Sequence, residues 1–150
     1  MRDCYNFVFC PSECPDVPLR FAQAADLPRI VEIYNAAIPG RMATADTEPV
    51  TVAMREPWFR EFDPTRRPLW VCTDGTDAVT GWLSLRSFYG RPAYAGTVEV
   101  AVYTAPEHRR HGVARALLQH ALGAAPGLAI QTLLAFVFAH NEPSLALFRD

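Results

Sequence analysis

The stretch VAVYTAPEHRRHGVARALL, residues 100–118, constrains this chain more than any other part of it. From Thr97 to Thr104, Val98, Val100 and Val102 alternate with Thr97, Glu99, Ala101 and Tyr103, the period of a strand with one apolar face. The charged turn HRRHG follows, and Gly112 to Ala125 then reads as an amphipathic helix broken by Pro126-Gly127. A helix entered this way exposes unpaired N–H groups and the positive end of its dipole, which favours an anion. Gly112 lets the backbone approach that anion with no Cβ in the way. Arg109, Arg110 and Arg115 add guanidinium groups suited to phosphate oxygens. Arg109 to Ala114 therefore reads as a pyrophosphate cradle. A solvated basic turn is the plainer alternative, and the strand before it with the helix after it outweigh that. The Gly-Lys-Ser/Thr ending of a nucleotide P-loop is missing, as is the dinucleotide GxGxxG, so a phosphate-and-magnesium site is not expected.

The anion site has to be local, because a formal charge of −2 gives no global attraction to nucleic acid or an anionic membrane. With 150 residues, half of them apolar, the chain is expected to form one domain with a core of its own. No apolar run approaches the length of a membrane span. The opening MRDCYNFVFCPSECPDVP lacks the basic, apolar and small-residue segments of a secretory signal, and the expected location is cytoplasmic. Residues 1–18 read as an irregular tail and 19–150 as the domain. Cys4, Cys10 and Cys14 fall in the tail and Cys72 stands alone in the body. They lack a fourth ligand at metal-binding spacing, so free thiols and no metal are expected.

The remaining elements follow from pattern. Leu19 to Ala22 reads as a short strand, and Ala25 to Ile38 as a helix ended by Pro39-Gly40. The polar loop RMATADTEPV leads to a second helix from the N-cap Thr51 through Phe62, with Trp58, Phe59 and Phe62 on its aromatic face. Pro68 to Cys72 and Ala78 to Phe88 read as strands around the turn Asp74-Gly75. Thr132 to Ala139 is nearly all apolar, as expected of a strand buried on both faces. Asn141 opens a last helix with Pro143 in its first turn. The class is α/β or α+β.

Glu99 is the other sharp feature, a carboxylate in a strand of Val, Ala, Thr and Tyr. It is either exposed on an open face or held in a pocket. Transfer of an acyl group to an amine needs the neutral amine, and most small amines are protonated at neutral pH. A partly buried carboxylate, acting directly or through a water, would take that proton.

RRHGVA resembles the R/Q-x-x-G-x-G/A turn of the GNAT superfamily of acetyl-CoA-dependent N-acetyltransferases. The resemblance runs from about Leu19 to the end and is strongest to the phosphinothricin and methionine-sulfoximine acetyltransferase group. It is carried by ADLPRIVEIYNAAI, the Thr47-Glu48-Pro49 loop, TVEVAVYTAPEHRRHGVARALL and AHNEPSLALF in that order. It implies a single-domain GNAT fold with a mixed central sheet flanked by helices. Acetyl-CoA would meet backbone groups of Val102, Tyr103 and Thr104, while Arg109, Arg110, His111, Gly112, Val113, Ala114 and Arg115 would surround its pyrophosphate. Asn141 would touch it where the last two strands part; read from the residues alone, Asn141 is equally an N-cap. Glu99 would be the general base for direct attack of the amine, with a backbone N–H of the Val102–Tyr103 segment facing the oxyanion. The acceptor would be a small amino-acid-like amine lying between Glu48 of the TADTEP loop and Phe88, Tyr89 and Arg91 of RSFYGRPAY, with Arg86 or Arg91 holding a carboxylate.

Several positions depart from that group. Phe148 stands where relatives carry a tyrosine or histidine as acid for the leaving thiolate, which leaves water, Tyr103 or His140 for that task. Tyr89 stands where methionine-sulfoximine enzymes carry a positive charge. Relatives continue past this helix into two strands that complete the sheet, so a fold lacking those strands is expected. The alternatives are a catalytically silent acyl-CoA-binding module and an enzyme acting on a protein N-terminus or lysine. Relatives commonly pair, and the aromatic second helix is the candidate homodimer contact.

Overall fold

The computed structural model describes residues 17–149. They form one five-stranded sheet in the order β1-β2-β3-β4-β5, with β1 Leu19–Phe21, β2 Leu69–Thr73, β3 Val79–Ser87, β4 Thr97–Thr104 and β5 Thr132–Leu134. The first four strands pair antiparallel and β5 joins β4 in parallel, so the sheet is mixed, as expected. Helices α1 Leu27–Asn35 and α2 Val52–Arg60 cover one face, while α3 Val113–Ala124 covers the other; α4 Glu142–Arg149 follows β5. The tail residues 1–16, with Cys4, Cys10 and Cys14, lie outside the described residues. Cys72 is a free thiol buried in the core.

The alternation in β4 divides the core. Val98 and Val100 are buried with Leu83, Leu85 and Leu117 under α3. Tyr103 packs on the opposite face with Trp82, Ile30 and Ile33. Trp82 Nε1 donates to the Ile30 carbonyl at 3.2 Å, which ties α1 to β3. Thr51 caps α2 as expected, its side chain accepting from the Met54 N–H at 3.2 Å. The aromatic face of α2 packs on the sheet, with the Trp58 and Trp82 rings 5.7 Å apart. A short 3-10 turn, Ala24–Asp26, precedes α1. Burial pushes the Asp26 carboxyl up, but hydrogen bonds from Arg20 and the Gln23 amide outweigh it and hold the group below the ordinary carboxylate range.

Gly81 sets the height of α3 above the sheet. A Cβ there would lie 2.6 Å from the Val113 side chain and 2.9 Å from the Tyr103 carbonyl oxygen. Gly81→Ala is expected to destabilise the fold by about 1–3 kcal/mol, read from urea unfolding midpoints. An unchanged midpoint would show that helix and strand separate without cost.

One expectation is corrected. The apolar run from Thr132 to Ala139 is a strand only over Thr132–Leu134, and it is not buried on both faces: Phe136 is 70% and Phe138 41% exposed. The reason lies in pairing. Register between β4 and β5 ends at Glu99 with Leu134, and past it the two segments part, so the later side chains have no second layer to enter. No helix among the described residues is long and apolar enough to cross a membrane.

Candidate active site

The parting of β4 from β5 opens two adjoining clefts. Beyond Glu99 the edge of β4 facing β5 has no strand partner, while its other edge stays paired with β3 from Val98 to Thr104. Backbone polar groups are thus presented along Val100 to Thr104. Val102 and Tyr103 line both clefts.

The larger cleft, about 710 Å³, runs past Val102, Tyr103 and Thr104 to Arg109, Arg110 and the segment Gly112 to Arg115. The turn that shapes it has two left-handed residues, Arg110 at φ 63° and Gly112 at φ 80°. An arginine held there costs of order 1–3 kcal/mol and persists only where its surroundings over-determine it. Gly112 serves as N-cap of α3, and its conformation suits a residue with no Cβ. His111, expected in the cradle, does not line this cleft; its ring lies 6.3 Å from that of His108, which does. The irregular turn has no period that tells the two histidines apart.

The smaller cleft, about 500 Å³, lies where the strands part and is lined by Glu99, Ala101, Phe136, Phe138, Asn141 and Phe148 among others. Glu99 is half-buried and is the charged side chain among the described residues lining it. A lone carboxylate in a mostly apolar cleft attracts a cation and disfavours an anion. Arg86, the cross-strand neighbour of Glu99, turns instead to Glu61 at 3.1 Å.

The loop between α1 and α2 closes one side of both clefts. Met42 and Ala43 line each of them. Asn141 is buried; its Nδ2 donates to the Met42 carbonyl at 2.7 Å, while its Oδ1 accepts from the Ser144 N–H at 3.2 Å. It therefore caps α4, as one of the two readings of its sequence position had it. The Tyr103 hydroxyl donates to the Ala43 carbonyl at 3.0 Å. Burial, with Tyr34 beside it, pushes the Tyr103 phenol up to about 12. His140 Nε2 lies 3.2 Å from the Arg41 carbonyl. The sequence placed the acceptor beside the TADTEP part of this loop through Glu48; Thr44 and Ala45 of that part line the smaller cleft, while Met42 and Ala43 just before it were not singled out.

Glu48, Phe88, Tyr89 and Arg91 line neither cleft. Phe88 follows β3 and stacks towards Phe136 at 6.4 Å between centroids; Tyr89 is 77% exposed with φ 51°, and Arg91 precedes a 3-10 turn.

A family model described as the acetyltransferase (GNAT) family matches residues 27–150. The chain belongs to this family. It is a GNAT acyltransferase. It is 50% identical over 130 residues to YwnH of Bacillus subtilis (strain 168), provisionally named a phosphinothricin acetyltransferase, covering 87% of this chain and 79% of the relative. Identity to the L-methionine sulfoximine/L-methionine sulfone acetyltransferase of Pseudomonas aeruginosa is 31% over 131 residues, 87% of this chain and 76% of that protein. Among solved structures, a GNAT phosphinothricin acetyltransferase of Sinorhizobium meliloti in complex with acetyl-CoA superposes with TM-score 0.83 at 32% identity, covering 89% of this chain and 72% of that one. The GNAT frame agrees with the mixed sheet and the β4–turn–α3 unit. Among its described residues no group of three or more His, Cys, Asp or Glu side chains is gathered for a metal ion.

Proposed function

We propose that this GNAT enzyme uses acetyl-CoA to acetylate the primary amine of a small amino-acid-like acceptor, of the phosphinothricin or methionine sulfoximine type, with Glu99 as general base. One observation carries the reading: the two clefts adjoin and share Met42, Ala43, Val102, Tyr103 and Asn141, with the arginine-glycine turn in one, Glu99 in the other, and the unpaired edge of β4 along both. The names of the relatives supply the acceptor class.

The larger cleft fits a CoA thioester. Arg109, Arg110, Arg115 and the N–H groups opening α3 would hold the pyrophosphate, and the edge from Val102 to Thr104 would hold the pantetheine amides. Acetyl-CoA, when bound, supplies the acyl group activated as a thioester. Glu99 takes a proton from the acceptor ammonium, directly or through a water, and leaves a neutral amine for direct attack. A backbone N–H of the Val102–Tyr103 segment faces the developing oxyanion. The nitrogen sheds its second proton as the tetrahedral adduct collapses, and water relays that proton to the leaving thiolate. Phe148 has none to give, and the Tyr103 phenol, at about 12, already donates to the Ala43 carbonyl.

The test is thiol release from acetyl-CoA with phosphinothricin, methionine sulfoximine and a peptide bearing a free N-terminus. Release with the two amino-acid analogues is the expected result. Release with the peptide alone would overturn the acceptor class. Binding of acetyl-CoA with release for no amine would favour the silent acyl-CoA-binding module, the reading that Phe148 supports.

A further inference from the structure

Three successive carbonyls of the α1–α2 loop are each met by a side chain from across the clefts. Arg41 O meets His140 Nε2, Met42 O accepts from Asn141 Nδ2, and Ala43 O accepts from the Tyr103 hydroxyl. The first two partners precede α4 and the third stands on β4, so the segment is stitched across the gap where the strands part. The loop is closed at its base as well. Asn35 exchanges two hydrogen bonds with the Val50 backbone, each 2.9 Å. Its outer part is held by the Tyr34 hydroxyl, 2.6 Å from the Thr44 hydroxyl and 2.5 Å from an Asp46 oxygen. What remains between these two anchors is a strap, Arg41 to Ala43. The three stitches tie it across the gap to β4 and to the residues before α4.

We infer that Tyr103, His140 and Asn141 are positioning residues for the acceptor: by holding the Arg41–Ala43 strap against β4 they fix the wall that orients the amine beside Glu99. This rests on the acetyl-transfer reading of the clefts. His140 separates the strap's role from direct contact, because it lines neither cleft and its polar contact is with the Arg41 carbonyl. Its ring also stacks on Phe138, interplanar angle 8°, so His140→Phe removes the polar contact and keeps the stacking. Tyr103→Phe likewise keeps the ring packed on Trp82, 4.7 Å between centroids, and removes the hydroxyl.

Hydrogen exchange of the peptides spanning residues 41–46, read by mass spectrometry on the full chain, reports the strap without any ligand. Exchange is expected to quicken about 3-fold in His140→Phe and about 10-fold in the double variant with Tyr103→Phe. In steady-state kinetics, His140→Phe should raise the acceptor KM about 3- to 10-fold, with a smaller rise in the acetyl-CoA KM because Met42 and Ala43 also line the larger cleft. His140→Gln, which keeps a polar group able to reach the carbonyl, should recover most of both effects. Unchanged exchange would overturn the stitching, whatever the enzyme does. Faster exchange with an unchanged acceptor KM would overturn the acceptor role. An inactive wild type would overturn the acetyl-transfer reading and the acceptor role with it, and exchange would still decide whether the stitches hold the strap.

Discussion

Glu99→Gln is expected to lower kcat/KM for the acceptor by about 10²- to 10⁴-fold near pH 7 while leaving acetyl-CoA binding, followed by calorimetry, unchanged. The substitution keeps size and polarity in a half-buried strand position and removes only the capacity to accept a proton. The deficit should shrink with rising pH. An amine that is a few units below its own pKa gains about ten-fold in neutral fraction per pH unit, so free neutral acceptor progressively replaces the base. A folded variant with full turnover at neutral pH would remove Glu99 from the chemistry. A deficit that stays constant up to about pH 9 would assign it to binding the cation instead.

The second large effect is expected at the turn. Gly112→Glu should weaken acetyl-CoA binding by about 100-fold or more, with the far-ultraviolet circular dichroism unchanged. Two causes add. The backbone at φ 80° is a left-handed conformation that costs an L-residue roughly 1–2 kcal/mol. The new carboxylate would also point into the cleft where Arg109, Arg110 and Arg115 gather positive charge. Gly112→Ala separates them, since it carries the strain and the Cβ but no charge, and about ten-fold weaker binding is expected of it. Equal losses in the two variants would make the backbone the whole effect. If neither variant loses affinity, the pyrophosphate is held elsewhere.

Both predictions concern residues legible in the linear chain, and the reason is physical. The β4–turn–α3 unit is written in local patterns: period two in Thr97–Thr104, a glycine where the backbone turns left-handed, then a helical repeat from Val113. Asn141 and Thr51 were legible for the same reason, because a cap acts on an amide three residues on. That His108 and not His111 lines the larger cleft was not legible, because an irregular turn carries no period that tells which side chain faces it.

The shape of the cleft beside Glu99 was decided only by tertiary structure. β4 and β5 are paired over three residues and then part, and no local pattern in the apolar run after Leu134 marks that point. The strap meets its holders across sequence separations of 60 and 99 residues, so neither partner carries a trace of the other. Glu48, Phe88, Tyr89 and Arg91 were expected at the acceptor by resemblance, whereas Phe136, Phe138 and Met42 line the cleft beside Glu99. Local chemistry therefore determined the anion turn and the carboxylate. Which walls face that carboxylate depends on where two neighbouring strands lose register and on a distant loop laid across the gap, and those are properties of the assembled sheet alone.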